Sequence, residues 1–324
     1  MKKKYLKGIL ILTMLFLPCL TGGCSRRNEK SLEKELSYRE LGIDKLNAGE
    51  YEEAVKIFQK ALDQSLAVVE ELEIDICYYK AMAQYKSGDE KGALETYTSL
   101  IEYDKKNAKA LYLRGTLYLQ QNETKKALED YKRALSIDTN NGALYNEIGE
   151  KLQRAGKVAE AGEILNNALQ VKGERPSNYR EKGYTYYLLG QYDSARTCLD
   201  RAIGEGDVEA IFYLAKLLEA KGEVEQADEL YETYIGKNST DTVTLNALGC
   251  AKIKEGKYEQ ALTFFQAALT NENPVNEQEL RKNEIATLEY MYRFSEARQR
   301  MKDYLKKYPR DKEALREYEF LKSR

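Results

Sequence analysis

The sequence predicts an all-α fold assembled from repeats, on three observations. One column of alanines recurs as Ala54, Ala93, Ala127, Ala161, Ala195, Ala227, Ala261 and Ala297, at intervals of 39, 34, 34, 34, 32, 34 and 36 residues. A period of this length marks a supersecondary unit that cannot bury its apolar face alone and must stack on its own copies. Prolines number only four in 324 residues, at Pro18, Pro176, Pro274 and Pro309. The remaining composition is rich in Ala, Leu, Glu and Lys, which lose little side-chain freedom in a helix.

Further columns keep register with the alanine. Twelve residues earlier stand Gly42, Ala81, Gly115, Gly149, Gly183, Ala215, Gly249 and Ile285. Five residues earlier stand Gly49, Gly88, Asn122, Gly156, Gly190, Gly222, Gly256 and Tyr292. Large residues follow four positions later at Phe58, Tyr97, Tyr131, Leu165, Leu199, Tyr231, Phe265 and Met301. A generic bundle has no reason to place alanine in all eight positions of one column.

At these columns the chain resembles the tetratricopeptide repeat family over about residues 35–311. The resemblance implies a right-handed superhelical solenoid of antiparallel helix pairs, A then B, in about eight repeats. Repeats are expected to start near Glu35, Ile74, Ala108, Gly142, Pro176, Val208, Thr242 and Gln278. The small residues let helix A approach helix B closely, and glycine before helix B suits a helix C-cap. The last repeat departs most, with Ile285 and Tyr292 in small-residue columns. Residues 312–324 read as a capping helix with Ala314, Leu315, Tyr318 and Leu321 on one face.

The first residues read as an address. Lys2, Lys3, Lys4 and Lys7 precede an uncharged, largely apolar run from Gly8 to Leu20, then the small residues Gly22 and Gly23 before Cys24. The stretch from Leu20 to Ser25 resembles a bacterial lipobox, with Thr21 where the motif usually has Leu. That resemblance implies a signal peptide over 1–23, lipidation (palmitate among the acyl chains) of Cys24, and a protein held at the extracytoplasmic face of a bacterial cell membrane. Residues 24–34 then form the lipidated Cys and a polar tether.

Charge and chemistry narrow the function. The whole chain carries a formal charge of −2; residues 1–23 hold four lysines and no acid, leaving −6 for the remainder. An acidic balance argues against nucleic-acid binding, which needs concentrated Lys and Arg. The chain has no His, which removes the commonest general base and metal ligand. Its five cysteines form no CxxC pair, and Cys77, Cys198 and Cys250 are expected to pack as small apolar residues. No metal, no cofactor and no enzymatic activity are expected.

The resemblance places the ligand-binding surface on the inner, concave wall, lined by helix A. The residues expected there are Tyr78, Tyr85, Tyr112, Asn146, Arg154, Arg180, Tyr184, Tyr187 and Phe212. Tyrosine gives a rigid contact with a polar tip, an amide can pair with an extended peptide backbone, and guanidinium can meet a carboxylate. The Lys–Asn–Arg set with which one subfamily grips a terminal carboxylate is absent, with Arg39 and Ile43 at the first positions. The expected function is a membrane-anchored scaffold for a protein or peptide partner. The alternative is an accessory module for assembly or secretion of an envelope polysaccharide.

Overall fold

A computed structural model of the chain describes residues 29–65, 69–238, 241–272, 274–309 and 311–324. The expected signal peptide and Cys24 lie outside the described residues. Among those residues there are seventeen α-helices and no strand. The chain divides into two compact units, residues 1–173 and 174–324. The first holds α1 (Glu29–Asn47), α2 (Tyr51–Leu62), α3 (Glu71–Lys86), α4 (Glu90–Tyr103), α5 (Ala108–Gln120), α6 (Thr124–Ile137), α7 (Gly142–Arg154) and α8 (Val158–Ala168). The second holds α9 (Pro176–Leu188), α10 (Tyr192–Gly204), α11 (Glu209–Ala220), α12 (Val224–Asn238), α13 (Thr242–Lys254), α14 (Tyr258–Leu269), α15 (Glu277–Tyr290), α16 (Phe294–Lys307) and α17 (Lys312–Lys322).

Odd-numbered helices up to α15 are the expected A helices and even-numbered ones the B helices. Four A helices begin at their expected residues, Ala108, Gly142, Pro176 and Thr242. One expectation is corrected. Helix α1 starts at Glu29, so the polar stretch read as tether is helical from there; Ser31 Oγ donates to the Gln64 carbonyl and Glu35 is buried. Helix α3 begins at Glu71, held by Glu73 accepting from the Glu70 amide at 2.7 Å, so much of the long first interval is helix.

Each A helix turns into its B helix in the same way. In the α7–α8 turn the Gly156 amide donates to the Gln153 carbonyl and the Lys157 amide to the Leu152 carbonyl, at 2.9 and 2.8 Å. These are the two bonds of a Schellman motif, which requires a left-handed residue at its centre. The same bond pair recurs in all eight A–B turns, and the centre is glycine in six of them. Asn122 and Tyr292 fill the other two with φ of 61° and 59°. Three B-to-A connections end instead on side-chain caps: Asn107, Asn141 and Asp241 accept from the amides of Ala110, Leu144 and Thr244.

The column residues meet as the period implies. All eight column alanines have no solvent exposure. The small residue of helix A lies beneath the large residue of helix B: a Cβ added at Gly249 would come 2.5 Å from Phe265 Cε1, and one at Gly183 2.6 Å from Leu199 Cγ. The last pair solves the same problem differently. Ile285 is itself buried, opposite the unbranched Met301. Helix α17 buries Ala314 and Leu321, whereas Leu315 is exposed, against expectation. Cys77, Cys198 and Cys250 are free and half-buried. Burial pushes all three thiols up, Cys77 to about 11.

Two substitutions test this packing. Gly115→Leu would drive a side chain into the Tyr131 ring, 3.0 Å from the position of a Cβ, and should destabilise the first unit by about 1–3 kcal/mol. Tyr292 is 80 % exposed yet held in the left-handed region. Tyr292→Gly should therefore raise the stability of the second unit by about 1 kcal/mol. Thermal and urea melts read both; an unchanged Gly115→Leu midpoint would contradict the nesting of helix A on helix B.

Candidate functional site: the wall of A helices

In each unit, successive A helices are joined by polar and aromatic bridges. In the first unit, Arg39 of α1 donates to Asp75 of α3 at 2.7 Å. Tyr78 of α3 donates to Asn107, the cap of α5, at 2.7 Å, and Lys109 of α5 sets its ammonium 4.3 Å from the Tyr78 ring centre. Tyr112 of α5 lies against Tyr131 at 6.1 Å and beneath Lys151 of α7 at 5.8 Å. Burial and the facing Glu147 carboxylate push the Tyr112 hydroxyl far up.

In the second unit, Arg180 of α9 binds Asp207 at 2.8 Å and also Glu209. Asp207 in turn accepts from the Ala210 amide at the start of α11. Tyr184 packs on Tyr187 at 5.7 Å and Tyr213 at 4.5 Å. Phe212 packs on Tyr231 and Tyr234, and Lys216 stands over both the Tyr184 and Phe212 rings. Asn246 of α13 donates to Glu279 of α15 at 3.0 Å and accepts from Asn283 at 2.9 Å.

Beneath this second wall lies a buried ionic cluster. Lys252 of α13 is 1 % exposed; it donates to Glu219 of α11 and to the Tyr231 hydroxyl, each at 2.9 Å. Lys257 binds the same Glu219 carboxylate at 2.9 Å, and Glu255 binds both lysines. Burial opposes ionisation of Glu219, but hydrogen bonds and charge from Lys257 and Lys252 outweigh it and hold the carboxyl at about 2. Burial and the Glu219 charge push the Tyr231 hydroxyl far up.

Most expected site residues therefore lie in a seam between helices. Asn146 is 3 % exposed, so its amide is covered by protein and does not face a ligand backbone. Arg180 is taken up by two acids, and Tyr184 is buried. Tyr78, Tyr112, Tyr187 and Phe212 are half-buried, each presenting one ring face to a neighbouring helix. Arg154 is exposed and reaches Glu150 on its own helix at 2.6 Å. Only Tyr85 among the expected aromatics is exposed, beside the exposed Met82 one turn earlier. The sequence reading passed over the roles of Lys151 and Lys252. Lysine usually marks a solvated face, and only pairing with a tyrosine one repeat away signals otherwise.

This geometry, paired helices nested on small residues with A helices forming a bridged wall, defines a helical repeat protein. Residues 108–141, 180–242 and 243–273 match tetratricopeptide repeat models. A TPR repeat-containing protein of Methanocaldococcus jannaschii is 29% identical over 160 residues, or 45% of this chain. The match spans 28% of that relative's length. Among solved structures, a tetratricopeptide repeat protein from Parabacteroides merdae is 20% identical with a TM-score of 0.41, covering 80% of this chain and 99% of that one. Pseudomonas aeruginosa PilF is 20% identical with a TM-score of 0.40, covering 63% and 91%. Repeats of this kind are protein-interaction modules.

The ionic cluster predicts an acid-sensitive second unit. Glu219 sits below its ordinary value of 4.5, so its stabilising contribution is complete above that pH and is lost as pH falls through about 2. Glu219→Gln should flatten this part of the stability–pH curve. Lys252→Ala should cost about 3 kcal/mol, because it takes the buried ammonium away from the Glu219 carboxylate and the Tyr231 hydroxyl. A chemical melt unaffected by Lys252→Ala would show that the cluster is solvated.

Proposed function

We propose that the chain is an interaction scaffold that holds a protein or peptide partner on its wall of A helices, tethered by a lipid on Cys24 to the extracytoplasmic face of a bacterial membrane. The observation that carries the binding reading is the pairing of a preorganised wall with exposed apolar groups on it. Tyr78 and Tyr112 are fixed by cross-helix partners, while Met82 and Tyr85 of α3 remain 43% and 37% exposed. Fixed rings lose little freedom on binding, and exposed ones supply area to bury. The reading of the anchor rests on the four lysines, the apolar run and Gly22-Gly23-Cys24. Two acyl chains on one cysteine suffice for stable attachment, since each buried CH₂ contributes about 0.8 kcal/mol.

In-cell crosslinking with partner identification tests the binding reading. Met82→Ala with Tyr85→Ala should reduce partner capture by about tenfold or more with the helical circular dichroism signal intact. Capture at unchanged yield would remove the wall of the first unit from consideration. For the anchor, Cys24→Ser should move the protein to the soluble fraction and abolish incorporation of labelled palmitate. Continued lipid labelling of Cys24→Ser would place the modification elsewhere.

A further inference from the structure

The charges on the first unit's wall do not balance as those of the whole chain do. Asp75 is paired with Arg39, and Glu150 with Arg154. Lys109 and Lys151 remain. Their interactions are with tyrosine rings, Tyr78 at 4.3 Å and Tyr112 at 5.8 Å, and among the described residues neither forms an ion pair. Glu147, one turn before Lys151 on α7, is turned to the Tyr112 hydroxyl. A ring face attracts an ammonium but leaves its N–H donors open. The rings themselves are fixed, Tyr78 through Asn107 and Tyr112 against Tyr131. Two ammonium groups, from different positions of their own repeats, are thus held over Tyr78 and Tyr112, which occupy the same position of consecutive repeats, on an otherwise acidic protein.

Resting on the reading of this wall as the binding surface, we propose that the first unit takes an acidic peptide segment in extended form. Its carboxylates would meet Lys109 and Lys151, and an apolar side chain would cover Met82 and Tyr85. Neighbouring helices pack about 8–10 Å apart and an extended chain advances about 3.3 Å per residue, so the two acids should stand about three residues apart. The open donors supply charge-assisted hydrogen bonds, and the one carboxylate beside Lys151, that of Glu147, is engaged by the Tyr112 hydroxyl.

Selection of a displayed library of random peptides of about twelve residues on the full chain tests this. The expected result is enrichment of acidic peptides with an apolar residue and acids about three positions apart. Their affinity should fall with added salt and drop about tenfold or more in Lys109→Gln/Lys151→Gln, while Lys254→Gln, an exposed lysine of the second unit, leaves it unchanged. Neutral selected peptides, or binding indifferent to the two lysines, would overturn the acidic assignment; if those peptides were lost on Met82→Ala/Tyr85→Ala, the wall itself would stand. No enriched peptide at all would sink both. Binding of polygalacturonate in place of the peptides would also overturn it, by assigning the ammoniums to an anionic glycan.

Discussion

Everything in this molecule depends on the close nesting of one helix on its partner where a side chain is nearly missing. At Gly249 the backbone of α13 comes so near Phe265 that a Cβ would overlap the ring. A gap of that kind is filled only if a large residue stands four positions beyond the alanine of the next helix. The spacing between the two is therefore fixed by helix geometry, and so is the length of the turn. Repeated down the chain, this constraint produces the period of about thirty-four residues and the identical turns. Within each unit it also fixes the orientation in which one A helix meets the next.

The wall of A helices inherits its order from that nesting. Most exposed ion pairs on the surface, such as Lys91–Glu95, contribute little, because water screens them and long side chains must be ordered to form them. The buried bridges differ. Arg114 binds Asp130 through two nitrogens at 2.7 and 2.8 Å with little water access, and Lys252 gathers Glu219 and Tyr231 out of solvent. Such groups set the angle between neighbouring helices more firmly than apolar contact does, because a hydrogen bond fails when its geometry changes. A wall fixed in this way presents the remaining lysines and aromatics without first having to order them.

The fold was legible in the sequence because its defining residues are small or strictly spaced. The Gly183 column is Gly or Ala in seven of the eight repeats and the Ala195 column is alanine in all eight, and Pro176 and Thr242 open helices at the expected residue. The start of α1 was not legible. Residues 29–34 are charged and lack an apolar period, and it is the bond from Ser31 to a distant carbonyl that ties that turn down. The site was legible only in part. The family's inner-wall positions were found, but spacing does not distinguish a residue facing solvent from one facing the next helix. Asn146 and Arg180 fell on the wall in sequence and in the seam in space: Asn146 is buried, and Arg180 reaches Asp207 and Glu209 near the start of the next A helix. The exposed Tyr292 shows the converse: a column that asks for glycine holds a tyrosine, and the backbone adopts the glycine conformation regardless.

The three cysteines have a bearing on the redox chemistry the chain can survive. Cys77, Cys198 and Cys250 each sit alone in a different repeat, and burial disfavours their thiolates. For Cys77 a rise from 9.0 to about 11 lowers the thiolate fraction at neutral pH about a hundredfold, and it is the thiolate that attacks disulfides. Slow thiols of this kind react sluggishly with foreign disulfides, so these three cysteines can stay unpaired in an oxidising compartment.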